Sequence, residues 1–523
     1  MVFLKKHIFK IGLIFILLSA GFLCIHTVWN YSNNTAQNQS GVGFNNPSLS
    51  EKNKLADNQN QIPREQKPDR KLTQPVASAN EHMRGRITST SMNYNAQLIT
   101  YSILFLVLFI EFYYMLVYKK VKIHSEHERI LMLTLPGVGL LLRISMATFI
   151  EGHPFDVNIF KSWATTAANN LSQVYSNSRS SDYPPLYMYI LFLIGKSVSI
   201  PAVSPYFTLL IKLPSILADI VTSLVIYKLA RKYVSLEISM LVSAFYIFNP
   251  AVFINSTIWG QVDSFFTLII ICSIFMLSEK KIGLSSALFA AAVMMKPQGI
   301  IFLPVLFFEL IRLKNLKSFL KTVIFALITT IIIILPFSLN QDVFWIFRLF
   351  SNTVSEYSYA SVNGFNFFSL IGKNYTKDTA TMFILSYHSW GMIFIVIITA
   401  LSWFIYIKGN SRVFAFAAAL LQIAGVFTFS VDMHERYLFP AAALSILSFI
   451  YLKDKRLLLL AAGFSCTIYI NTYYVLYETL KGINSISFNP TLIFTSLLNV
   501  LLFIYLVKIL LDIVIKKKTC VFR

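Results

Sequence analysis

Charge is scarce in this chain. Only 13% of its 523 residues are Asp, Glu, Lys or Arg, against 56% hydrophobic; an ordinary soluble domain carries about twice that charged share. A soluble globular protein of this length is excluded on that ground. Alternating ten-residue patterns of apolar and polar residues are missing too, which excludes a β-barrel. Cysteine is rare. Cys24, Cys272, Cys466 and Cys520 lie in or beside apolar segments, with no metal-ligand spacing and no disulfide framework. The sequence holds no Gly-x-x-x-x-Gly-Lys phosphate loop, which argues against direct use of ATP. It also lacks an internal repeat or a matched pair of Gly/Pro-broken segments, which argues against a secondary transporter.

What the chain does have is a series of apolar runs of about 20 residues, long enough to cross a bilayer as helices. The net charge of +21 resides in short loops between these runs, where Lys and Arg set topology. It does not point to nucleic acid. Lys5, Lys6 and Lys10 precede the first run, so residues 1–29 read as an uncleaved signal anchor. Residues 30–95 are rich in Asn, Gln, Ser, Lys and Pro and poor in large apolar side chains. Such a segment cannot bury enough surface to fold and reads as a disordered outer linker. Residues 96–523 form the polytopic domain.

Positive loops give that domain an orientation. Basic groups at Lys119, Lys120 and Lys122, at Arg231 and Lys232, at Lys280 and Lys281, at Lys453, Lys455 and Arg456, and at 516–518 mark the cytoplasmic side. Two long loops, about 151–205 and 340–379, then face outside. The apolar stretch 184–198 is too short to span and starts at Pro-Pro, so it reads as a helix along the interface. Residues 283–310 have basic groups at both ends. They must turn back, and Lys296-Pro-Gln298 sits at the middle, where proline breaks a helix. The count is about fourteen membrane helices with both termini cytoplasmic.

Five polar sets interrupt the apolar runs, all on or near the outer side. Such groups are costly at a membrane edge unless they pair or act. Asp156 can take a proton from a hydroxyl held within hydrogen-bond reach; it also reads as the N-cap of a helix over 157–170. Asp182 and Tyr183 precede two prolines, which suits either a turn or a polar wall of a site. In Trp259-Gly-Gln-Val-Asp263, Gln261 and Asp263 suit sugar hydroxyls and Trp259 offers a flat face to a pyranose ring. The same tryptophan reads as an interfacial anchor. Lys296 needs an anion: a lipid phosphate, or an internal partner such as Asp263. Arg436 can hold a phosphate through two parallel hydrogen bonds. Its neighbours His434 and Glu435 can orient it or coordinate a divalent cation, but their spacing is no zinc motif. Glu111, Arg143, Lys212, Asp219 and Glu309 read as structural pairs within the bundle.

Taken in order, these pieces resemble the bacterial relatives of the second glycosylphosphatidylinositol mannosyltransferase, within the GT-C superfamily of membrane glycosyltransferases. The resemblance covers roughly residues 130–480. It rests on His153-Pro-Phe-Asp156, Asp182-Tyr-Pro-Pro-Leu186, Lys212-Leu-Pro-Ser-Ile-Leu-Ala-Asp219, Phe248-Asn-Pro250, Trp259-Gly-Gln-Val-Asp-Ser264, Lys296-Pro-Gln298, Tyr359-Ala-Ser-Val-Asn-Gly-Phe-Asn366 and Met433-His-Glu-Arg-Tyr-Leu-Phe-Pro440. The Asp-Tyr-Pro-Pro-Leu segment is similar to one in the dolichyl-phosphate glucosyltransferases. The resemblance implies an all-α GT-C bundle whose first outer loop, carrying interfacial helices, is catalytic. The donor would be a mannose-like hexose on a polyprenyl phosphate. The acceptor would be a cell-envelope glycan, glycolipid or protein at the outer face of the cytoplasmic membrane. Asp156 would be the general base of an inverting transfer. Lys296, Arg436 and His434 would hold the donor phosphate, and Asp182, Tyr183, Trp259, Gln261, Asp263, Gln298 and Glu435 would line the sugar and acceptor site. No metal ligand is assigned. A transporter or flippase of lipid-linked sugars is the alternative.

Overall fold

A computed structural model of the chain describes residues 2–40, 94–176 and 181–521. Most of the expected linker, 41–93, lies outside the described residues. Of its first part, residues 30–40 continue the Val2–Ser40 helix beyond the expected end of the anchor at 29.

Among the described residues, ten helices are long and apolar enough to cross a membrane. The chain is an all-α, multi-pass membrane protein. Its exterior agrees with that. On Leu316–Phe337 the side chains of Ile324, Ile328, Ile331 and Ile332 are exposed, an apolar surface that only lipid or another membrane helix would cover. At the centre, Leu236–Trp259 and Arg412–Phe429 are almost wholly enclosed by other helices. Small residues permit that closeness: Ala415, Ala417, Ala418, Ala419, Ala441, Ala442 and Ala443 are all buried.

The count of about fourteen membrane helices includes four shorter ones, Asp263–Ser278, Ile282–Met295, Leu303–Leu313 and Pro440–Leu452. These have 16, 14, 11 and 13 residues. At 1.5 Å per residue, even the longest reaches only about 24 Å, less than the roughly 30 Å of a hydrocarbon core.

The break at Lys296 is as the sequence suggests. Ile282–Met295 ends there, and a 3₁₀ turn over Pro297–Phe302 leads into Leu303–Leu313. The chain folds tightly back at this point. A Cβ on Gly299 would lie 2.6 Å from the Val293 nitrogen and 2.7 Å from the Ala292 carbonyl carbon, so only glycine fits.

The segment expected to form the first outer loop carries two helices, Pro154–Asn169 and Leu186–Val198. They meet at Gly195, whose absent Cβ would stand 2.2 Å from the Ala164 carbonyl oxygen. The segment over 340–379, expected to be the second outer loop, is pinned to the bundle by asparagines. Asn471 on Arg456–Leu480 accepts from the Phe365 N–H at 2.9 Å and donates to the Asn363 carbonyl at 2.8 Å.

Of the five charges expected to form structural pairs within the bundle, Arg143, Asp219 and Glu309 do so. Arg143 and Asp219 are fully buried and 3.3 Å apart. Glu309 is held by Arg312, Arg412 and the Tyr406 hydroxyl at 2.6–2.8 Å. Lys212 and Asp219, seven residues apart on one helix, do not pair with each other. Lys212 Nζ donates to the Ile150 carbonyl at 2.5 Å. Glu111 is exposed. All four cysteines are free.

Candidate functional site

Asp156 lies in the first turn of Pro154–Asn169 and is not its cap. The N-cap is His153, whose Nδ1 accepts from the Asp156 N–H at 3.4 Å. The His153 N–H itself bonds to the Trp259 carbonyl at 2.9 Å. The Asp156 carboxylate is thus released from capping and turns to other partners.

Those partners come from an unusual turn. A π-helix over Ile254–Trp259 ends on Gly260 at φ 87°, a left-handed conformation that glycine adopts without strain. Single π turns of this kind often mark functional sites. The wide turn projects Trp259 Nε1 and Gln261 Nε2 onto the same oxygen, Asp156 Oδ2, at 2.6 and 2.7 Å. Among the described residues Oδ1 accepts no hydrogen bond. Burial alone would raise the Asp156 pKa. The Arg436 charge, His153 and these two donors outweigh it and hold the carboxyl below its usual range.

Trp259 is also the hub of the site. His153 stacks on its ring at 5.0 Å and 14°, and the Arg436 guanidinium lies 5.0 Å from the ring centroid. The indole is 2% exposed. The face expected to meet a pyranose ring is occupied, and Trp259 instead ties Asp156 to Arg436.

Asp263 organises the cations. Its Oδ1 accepts from Lys296 Nζ at 2.5 Å; its Oδ2 accepts from Asn255 Nδ2 at 2.9 Å and lies 3.7 Å from Arg436 Nη1. The internal partner considered for Lys296 is therefore present. Lys296 also lies 5.5 Å from the centre of the Tyr183 ring. Arg436 Nε bonds to Glu435 Oε1 at 2.8 Å, but Nη1 is buried without a hydrogen-bond partner among the described residues. Gln261 Oε1 and Gln298 Oε1 are buried and unpaired as well. Open polar groups of this kind ask for a ligand or water.

The remaining expected residues border this cluster. Burial and the neighbouring Asp156 charge push the Asp182 carboxyl up, and Lys296 partly offsets them. His434 packs edge-on to Tyr357 at 4.8 Å. Burial and the charges of Arg436 and Lys296 push its pKa down to about 3. It is neutral near pH 7 and can offer a hydrogen bond but no charge. Tyr357 and Glu356, from the segment over 340–379, carry no motif in the sequence. Glu356 feels the Asp182 charge, yet nothing in its local sequence distinguishes it. Lys212 is a further residue with a role the spacing hid: it anchors Ile150, just ahead of His153.

The chain matches none of the known protein-family models or curated proteins with which it was compared.

Proposed function

We propose that this protein is a GT-C-type glycosyltransferase. It would move a mannose-like hexose from a polyprenyl-phosphate donor to an acceptor hydroxyl at the outer face of the cytoplasmic membrane. One observation carries the reading. A carboxylate with one free oxygen and a half-satisfied buried guanidinium stand on the same tryptophan, Asp156 by hydrogen bond and Arg436 over the ring.

Such an arrangement suits an inverting displacement. Asp156 is ionised, so its free Oδ1 can receive the acceptor proton as the hydroxyl oxygen attacks the anomeric carbon. The bond from that carbon to the phosphate oxygen breaks, and the negative charge moves onto the polyprenyl phosphate. Arg436 Nη1 has an unfilled donor position for that charge. Lys296, already paired with Asp263, adds a second cation. Preorganised cations in a site poor in water stabilise a leaving phosphate strongly. Neutral His434 and Tyr183 contribute hydrogen bonding and shape. Asp182, Gln261, Gln298 and Glu435 border the space for sugar and acceptor. The same gathering of charge on one cluster is less suited to transport.

The test is donor choice. Membranes holding the protein are given a labelled polyprenyl-phosphate hexose or the matching sugar nucleotide. Label should enter a new glycosidic product from the lipid donor only. Movement of intact labelled lipid between leaflets with no new product would replace this reading with that of a flippase.

A further inference from the structure

We propose that Asp378, His388 and Asp432 form a binding site for a divalent cation of mixed nitrogen and oxygen preference, Zn²⁺ or Mn²⁺. Each residue supplies one candidate ligand atom, and the three atoms lie within 4.8 Å of one another. They come from three segments. Asp378 precedes a small hairpin, Thr381–Met382 with Leu385–Ser386; His388 opens the Tyr387–Gly409 helix; Asp432 lies in the turn after Ala415–Phe429.

The backbone is arranged to hold them there. The His388 N–H bonds to the Asp378 carbonyl at 2.9 Å, and the Asp432 N–H to the Tyr359 carbonyl at 2.9 Å. Asp432 Oδ1 in turn accepts from the Tyr359 N–H at 3.0 Å. Asp432 adopts φ 60°, a left-handed conformation that aspartate enters more readily than most non-glycine residues.

A separate observation points to a ligand. Asp378 is 6% exposed, and its Oδ1 has no hydrogen-bond partner among the described residues. Its Oδ2 lies 3.1 Å from His388 Nδ1. A buried carboxylate with one oxygen left open, its other oxygen beside an imidazole and a second carboxylate nearby, is costly without a cation. Imidazole with carboxylate suits Zn²⁺ or Mn²⁺ better than Ca²⁺, which takes oxygen only. Three protein ligands leave positions for water, and the exposed His388 side chain provides the way in.

Such an ion would staple the second outer loop to the turn that leads into His434, Glu435 and Arg436. Its existence does not depend on the transfer reaction, because binding and stability report it. Full-length protein in detergent is stripped with a chelator and titrated with Mn²⁺, read by electron paramagnetic resonance, and with Zn²⁺, read by thermal unfolding. One ion should bind per chain and raise Tm. His388→Ala, at an exposed position, should keep the Tm of the stripped wild type. It should weaken binding by at least about tenfold, since losing even an outer contact of a metal site costs that much. Asp378→Asn should do the same. The proposal is overturned if the stripped wild type binds no ion, or if both variants bind as tightly as wild type. The cluster would then be a histidine bridging two carboxylates.

Discussion

The indole N–H of Trp259 donates to Asp156 Oδ2 at 2.6 Å. That bond crosses from the π turn at the end of one buried helix to the first turn of Pro154–Asn169. It fixes the carboxylate's rotation, so that one oxygen is occupied and the other is open.

The hydrogen bonds to Asp156 set a pH dependence. A general base acts deprotonated, so the rate is full above its pKa and falls as pH drops through it. Because the Asp156 pKa is depressed, the acid limb of kcat/KM should lie below the ordinary carboxylate range. Trp259→Phe removes one donor to the charged form. Its limb should move toward higher pH, and kcat/KM at neutral pH should fall because the carboxylate is less firmly positioned. An unmoved limb would mean that Trp259 only packs.

Arg436→Lys keeps a charge but loses the planar fork. If the guanidinium meets a leaving phosphate, kcat should fall by about 10²–10³, the cost of one lost charge-stabilising donor. KM should change much less. A rise in KM alone would assign Arg436 to ground-state binding.

Gly260 accepts φ 87°, and a Cβ there would lie 3.2 Å from Val157 Cγ2. Gly260→Ala should cost about 1–2 kcal/mol of stability through backbone conformation alone. It should also displace Gln261 from Asp156, so activity should fall further than the lower Tm accounts for. Equal activity per folded molecule would separate the turn from the base.

Arg143→Met leaves Asp219 charged, buried and unpaired. The expected loss is about 3–5 kcal/mol, seen as a lower Tm in lipid or detergent. Arg143→Met combined with Asp219→Leu should recover most of it. Failure to recover would give Asp219 a role beyond the pair, for example through its 2.6 Å bond from Ser256.

Much of this fold is legible in the sequence because membrane helices obey strong local rules. Length and hydropathy locate the long crossings, and Lys296-Pro297 locates a break that the structure places at Lys296. The shorter helices are harder, since 11–16 apolar residues do not say whether an element crosses or stops midway. The candidate site is legible as a set of residues but not as a set of partners. Nothing at positions 153–156 shows that His153 takes the cap and frees Asp156. Nothing in the spacing of Lys212 and Asp219 shows that one seeks a distant carbonyl and the other Arg143. A tryptophan at a span edge does not reveal that its ring is already covered. Asp378, His388 and Asp432 escape notice because ligands from three segments leave no motif.

The central claim is that Asp156 is the base of a sugar transfer. It is tested most directly by comparing wild type with Asp156→Asn, both in lipid nanodiscs with labelled polyprenyl-phosphate hexose and an envelope acceptor. The substitution keeps size and the first helical turn. Transfer should fall by about 10²–10⁴, the scale of a positioned base, while donor binding is retained. Transfer by Asp156→Asn at the wild-type rate would contradict the account.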